Sequence, residues 1–192
     1  MHKFICLLLL IAFTFSGNVF AQGKFEKESR LKPKYVPVKA LAFIDSLNFG
    51  EKVKWHKEEG LTGISVEAKF KHDKATYSVE FDTSGNVEDI EIEANWKDLE
   101  SDLRDAIFSQ INTDCVKHKI VKVQKQYTGS ESQLLSVLKA ELKSQTLTIK
   151  YELIVRCSHQ KKVDLFEYLF NEKGKLISTS QIVFKNSSHL EY

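Results

Sequence analysis

Strict alternation of apolar and polar residues constrains this chain more than any other feature. Leu147, Ile149, Tyr151, Leu153 and Val155 put an apolar side chain at every second position. That is the period of an antiparallel strand with one buried and one wet face. The same period runs through Val53 and Trp55, through Ile64, Val66, Ala68 and Phe70, through Ala75, Tyr77, Val79 and Phe81, and through Ile90 and Ile92 after Val87. The links His72-Asp73-Lys74 and Asp82-Thr83-Ser84-Gly85-Asn86 are short and rich in turn formers, so these strands are expected to form hairpins. Further strands are predicted at about 117–127, 145–157, 163–171 and 175–184.

Two helices interrupt the strands. Val38, Leu41, Ile44 and Leu47 fall at spacings of three and mark one face of a short helix, opened by Pro37 and ended by Gly50. Leu99, Leu103, Ala106, Ile107 and Ile111 mark a second, with Asn95 as its cap and Asp98 three residues on. The order helix then meander therefore occurs twice. Phe81-Asp82-Thr83-Ser84-Gly85-Asn86-Val87 matches Phe170-Asn171-Glu172-Lys173-Gly174-Lys175-Leu176 at an offset of 89, whereas Lys52-Val53-Lys54-Trp55 matches Ile120-Val121-Lys122-Val123 at 68. The difference of 21 residues predicts an insertion, and residues 128–144 supply it: Leu134, Leu135, Leu138 and Leu142 are spaced for a helix capped by Ser130 or Ser132. The expected fold is α+β, two tandem repeats of a helix plus an antiparallel meander sheet with the helices packed on the sheets. Repeat 1 spans 36–94, repeat 2 spans 95–184, and 185–192 form a C-terminal tail.

The start of the chain reads as an export signal. His2 and Lys3 precede an apolar run from Phe4 to Phe15, too short to span a bilayer, and Val19-Phe20-Ala21 suits cleavage before Gln22. Residues 1–21 are thus predicted to be removed. Cys6 lies within the apolar run, so no lipid anchor is expected, and no membrane span remains after cleavage. Residues 22–35, polar and broken by Pro33, read as a flexible leader. The net charge is +2, falling to +1 once Lys3 is lost, which favours no nucleic-acid partner.

Two cysteines survive processing. Antiparallel pairing of the strand ending near Tyr127 with the one starting near Thr146 brings Cys115 opposite about residue 158, and Cys157 shares the inward parity of Val155. A Cys115–Cys157 disulfide and two free buried thiols are the alternatives. His118 and His159 lie near them, a conceivable two-cysteine, two-histidine zinc group that matches no known spacing. Asp82, Ser84 and Asn86 around Gly85 fit a hairpin turn better than a calcium loop, which lacks its glutamate. No nucleophile elbow, phosphate loop or dinucleotide fingerprint occurs, so neither catalytic residues nor a cofactor or metal is assigned. An acidic stretch (Glu88, Asp89, Glu91, Glu93, Asp98, Glu100, Asp102, Asp105) and a basic one (Lys117, Lys119, Lys122, Lys125) read as solvated outer faces or as an electrically two-sided molecule.

Val36-Pro37, Phe43, Phe49, Lys52-Val53-Lys54-Trp55, Glu58 and Tyr77-Ser78-Val79-Glu80-Phe81-Asp82 with Gly85 resemble the PepSY-like domain related to the beta-lactamase inhibitory protein fold. Tyr151-Glu152-Leu153, Tyr168 and Phe170-Asn171-Glu172-Lys173-Gly174 repeat the likeness, which covers about 36–184. The resemblance implies tandem helix-plus-sheet units, a secreted or periplasmic location, and a role in binding or inhibiting other proteins. The expectation is a non-enzymatic exported module with a protein partner in the cell envelope. The alternative is an envelope sensor or carrier of a small ligand or metal. Trp55, Leu135 and Leu138 are the candidate interface residues, with core packing the other reading for Trp55.

Overall fold

The computed structural model describes residues 23–24, 26–60, 63–141, 147–159 and 162–182. The export signal 1–21, the C-terminal tail 185–192 and the end of the insertion at 142–144 lie outside the described residues. The elements run β1 (Gly23–Lys24), β2 (Glu26–Arg30), α1 (Val38–Asp45), β3 (Lys54–Gly60), β4 (Ile64–His72), β5 (Ala75–Phe81), β6 (Val87–Glu93), α2 (Ser101–Asp114), β7 (His118–Thr128), α3 (Glu131–Leu138), β8 (Thr148–His159), β9 (Lys162–Asn171) and β10 (Leu176–Ile182). The fold is α+β, and β2 to β10 pair antiparallel throughout.

The two expected sheets are one. β6 pairs with β7 from Ile90↔Tyr127 to Glu93↔Gln124, which joins the halves edge to edge. Each half would otherwise leave a row of unpaired N–H and C=O groups at that edge. The expected flexible leader is also corrected: β2 pairs with β3 from Glu26↔Gly60 to Arg30↔His56, and β1 pairs parallel with β10 at Gly23↔Gln181 and Lys24↔Ile182. β1 and β2 are separated by one residue, yet they stand at opposite ends of the strand order. One N-terminal segment therefore bridges both edges and brings the sheet round on itself. Its polar composition is no bar to this, since an edge pairing is made by backbone groups.

All three helices pack on the outer face. α1 and α3 cover β3–β6 through Phe43, Ile44, Leu47, Leu134 and Leu138, meeting Trp55, Phe70, Phe81 and Ile90. α2 covers β7–β9 through Leu103, Ile107 and Ile111, meeting Leu153, Val155, Tyr168 and Phe170. The insertion helix thus sits in the second half of the sequence but packs on the first core. Ser130 is its cap, its N–H donating to Gln133 Oε1 (2.7 Å). Val38, assigned to the buried face of α1, is 81% exposed, while Ala40 and Phe43 are buried. The helix is rotated so that Ala40 meets the turn at Gly85. Asn95 opens a short 3-10 turn at Trp96–Asp98 rather than α2, which begins after Glu100.

The turns are locally determined. Asp73 and Lys74 both adopt positive φ (45° and 67°), the conformation of a two-residue hairpin that follows strand twist. Gly85 (φ +85°) and Gly174 (φ +74°) occupy equivalent turns, and each abuts a helix. A Cβ on Gly85 would stand 2.8 Å from Pro37 Cβ and 2.9 Å from the Ala40 nitrogen; one on Gly174 would stand 2.8 Å from Ala106 Cβ. Asp82 Oδ1 accepts from the N–H groups of Ser84 and Asn86 (2.8 and 2.9 Å), and Asn171 Oδ1 accepts from those of Lys173 and Lys175 (3.0 and 2.9 Å).

Candidate functional site

With the helices on the outside, the alternate residues of every strand face inward. Most are polar: Glu28 from β2, Glu67 and Lys69 from β4, Glu80 from β5, Asp89 and Glu91 from β6, Gln124 and Gln126 from β7, Glu152 from β8 and Glu167 from β9 surround a cavity of about 360 Å³, with Ile154 and Ile182 the apolar exceptions. Eight carboxylates and two lysines line it, in a chain whose net charge is +2. Glu67, Ser78, Asp89 and Gln124 are buried. Burial of a carboxylate disfavours its charged form unless a cation or donors compensate.

The two ends of this face solve that problem differently. Near β2–β4 the chain supplies its own cation. Lys69 Nζ lies 2.8 Å from Glu28 Oε2 and 2.7 Å from Glu67 Oε2. Burial raises the Glu67 carboxyl, but the hydrogen bonds from Lys69 and Ser78 and the Lys69 charge outweigh it, leaving it below the ordinary value. The same carboxylates hold the Lys69 ammonium above its ordinary value against the opposing effect of burial. Near β5–β7 the hydrogen bonds come from neutral amides: Gln126 Nε2 donates to Asp89 Oδ2 (3.1 Å) and Gln124 Nε2 to Glu91 Oε2 (2.6 Å), while Lys122 lines the same cavity and its charge opposes the rise of Glu91 without cancelling it. Burial first, then the charges of Glu80, Glu152 and Glu88, push Asp89 up to about 7. Burial and the Asp89 charge push Glu91 up to about 8.

Among the described residues, Glu28, His56 and Glu67 bring donor atoms within 4.8 Å of one another, a spacing that suits a metal ion. His56 lies between the two carboxylates, Nε2 at 3.5 Å from Glu28 and Nδ1 at 3.9 Å from Glu67. The Lys69 ammonium already bridges the same carboxylates, so any metal would have to displace it.

The sequence-derived candidates fare unevenly. Cys115 and Cys157 form a disulfide with a Cα–Cα distance of 5.8 Å; Cys115 sits at the C-terminus of α2, and β7 places His118, not Cys115, opposite Cys157. With both sulfurs in the bridge, the two-cysteine, two-histidine zinc group does not form; His118 Nδ1 instead lies 2.6 Å from the Cys115 carbonyl oxygen. Asp82 is consumed by its own turn. The proposed interface residues are core: Trp55 and Leu138 are 5% and 3% exposed, and Leu135 packs half-buried against the same cluster. Apolar strand and helix positions turn into the layer between sheet and helices, which is why Trp55 and Leu138 are withdrawn from the surface and Leu135 is exposed only in part. The acidic stretch does not make one face, since Asp89 and Glu91 point inward while Asp98–Asp105 lead into and along α2.

The overall architecture is shared with a solved structure. A DUF2874 family protein from Bacteroides ovatus has a TM-score of 0.50 at 13% identity, covering 76% of this chain and 87% of that one. A BLIP-like protein from Bacteroides fragilis gives 0.48 at 16% identity (80% and 92% covered), and a candidate periplasmic protein from Bacteroides eggerthii gives 0.47 at 11% (77% and 89%). At such identities the first likeness is one of fold alone. No family profile matches the chain, and neither does any curated protein sequence. No described helix is long and apolar enough to cross a membrane.

Proposed function

We propose that this protein is an exported, non-enzymatic binding module, and that its acid-lined inner face holds a positively charged group of a protein partner in the cell envelope. The observation that carries this reading is the contrast between the two ends of the face. Where Lys69 is present, the carboxylates stay charged and close around an ammonium. Where amides supply the hydrogen bonds, Asp89 and Glu91 are raised towards neutrality even with Lys122 nearby. A lysine or arginine side chain entering beside them would reproduce the Lys69 arrangement and lower both carboxyls. Keeping buried acids at some cost in stability is a mark of a functional site.

The reading also takes the halves as two PepSY-like repeats, supported by the matching turns at Gly85 and Gly174, and the location as periplasmic or secreted, supported by the apolar run at Phe4–Phe15. A second reading, a carrier of a small cation, draws on the N-terminal segment that pairs with both sheet edges and closes the sheet round the acid-lined face. Affinity capture of envelope proteins on the processed protein, beside an Asp89→Asn/Glu91→Gln variant, tests the first reading. A basic partner retained by the wild type and lost with the variant is expected. Equal retention by both would overturn it, and divalent metal or polyamine binding in its place would favour the second.

A further inference from the structure

At the end of the inner face where β3 begins and β4 ends, the sign of the charge reverses. A second cavity, of about 510 Å³, is lined there by Arg30, Lys52, Lys54, Lys69 and Lys71, with His56, Phe70 and Thr76 and with Glu51 as its one carboxylate. Strand register brings Arg30, Lys54 and Lys71 together, and Lys52 stands just before β3. Lys54 stands directly opposite Lys69, Lys71 follows two residues on along the same face of β4 and opposes Thr76, and Arg30 opposes His56. Like charges directly opposite on a sheet are destabilising. Lys69 is answered by Glu28 and Glu67, and Glu51 lies against His72 at 3.5 Å. Among the described residues, no ion pair answers Arg30, Lys52, Lys54 or Lys71.

We infer that this cationic rim binds a tetrahedral oxyanion, a phosphate group, at a site separate from the acid-lined cavity. Three lysine ammoniums supply compact point charges, the Arg30 guanidinium supplies a planar fork matched to two phosphate oxygens, and the Thr76 hydroxyl is a further donor. A dianion here would offset the mutual repulsion of Arg30, Lys54 and Lys71. The rim is exposed, so the phosphate can belong to a free ion or to a lipid headgroup.

The test is a titration of the processed protein with inorganic phosphate at low ionic strength, followed by amide chemical shifts, beside co-sedimentation with phosphatidylglycerol vesicles and phosphatidylcholine controls. The inference expects saturable shifts confined to the amides around Lys54, Lys71 and Thr76, and binding at least about tenfold weaker in Lys54→Gln/Lys71→Gln, because each charged hydrogen bond lost is worth that factor. Binding to phosphatidylglycerol vesicles alone, lost in the same variant, assigns the phosphate to a headgroup and sustains the site. Both residues are exposed, and circular dichroism confirms that the variant folds. Absence of shifts and of vesicle binding, or binding unchanged in the variant, would overturn it.

Discussion

Replacing Asp89 by Asn should stabilise the protein at alkaline pH and do little in acid. In the folded state burial and three neighbouring carboxylates push Asp89 from an ordinary 3.8 up to about 7. Its folded value lies above its unfolded one, so between those values the folded state keeps a proton that the unfolded state has released. The contribution to stability is therefore fully present below about pH 4 and is lost as pH rises to about 7. A tenfold change in proton affinity on folding corresponds to about 1.4 kcal/mol, so the whole window amounts to roughly 4 kcal/mol as an upper limit. Solvent in the cavity and titration shared with Glu91 reduce it, and about 2 kcal/mol is expected between pH 5 and pH 8. Asparagine keeps an oxygen for the Gln126 amide, so that hydrogen bond survives. Urea unfolding followed by the fluorescence of Trp55 and Trp96 reads the difference as a shift in midpoint at constant slope. The advantage of Asp89→Asn over wild type should grow by about 2 kcal/mol from pH 5 to pH 8. An equal effect at both pH values, or a loss of stability at pH 8, would refute the claim that this carboxylate is strained by its surroundings.

Other outcomes follow from the same geometry. Gly85→Ala and Gly174→Ala should each cost about 1–3 kcal/mol, since both residues have positive φ and a new Cβ would meet a helix at 2.8 Å; unchanged melting would contradict the packing of turn on helix. Cys115→Ser should lower stability by up to about 4 kcal/mol for a bridge spanning 42 residues, and thiol counting on the unreduced, denatured protein should find neither cysteine free. Trp55→Ala should cost about 3–5 kcal/mol in unfolding experiments, as a core residue does, where an interface residue would leave stability unchanged.

Strand positions are legible in the sequence because alternation and turn chemistry act locally. Val79, Phe81, Leu153 and Val155 all face the helices as their period requires. Sheet closure is not, because β1 and β2 are bound through backbone groups at two distant edges, and a polar segment such as Glu26–Arg30 carries no pattern that names its neighbours. Register arithmetic pairs Cys115 with Cys157 by treating Cys115 as a strand residue; the bridge forms although Cys115 ends a helix. The acid-lined inner face is present in the sequence as the polar partners of the apolar positions, Glu67 and Lys69, Glu80, Asp89 and Glu91, Gln124 and Gln126. A single strand with a wet face reads as ordinary solvated surface. Only the curvature that brings these strands round one cavity turns scattered glutamates into a site.

Binding at the acid-lined face is read by an amide chemical-shift titration of the chain from Gln22 onward with a short lysine-rich peptide at pH 8. Saturable perturbations are expected at Glu80, Asp89, Glu91, Gln124 and Gln126, lost in Asp89→Asn/Glu91→Gln. Perturbations confined to the outer helices, or none at all, would contradict it.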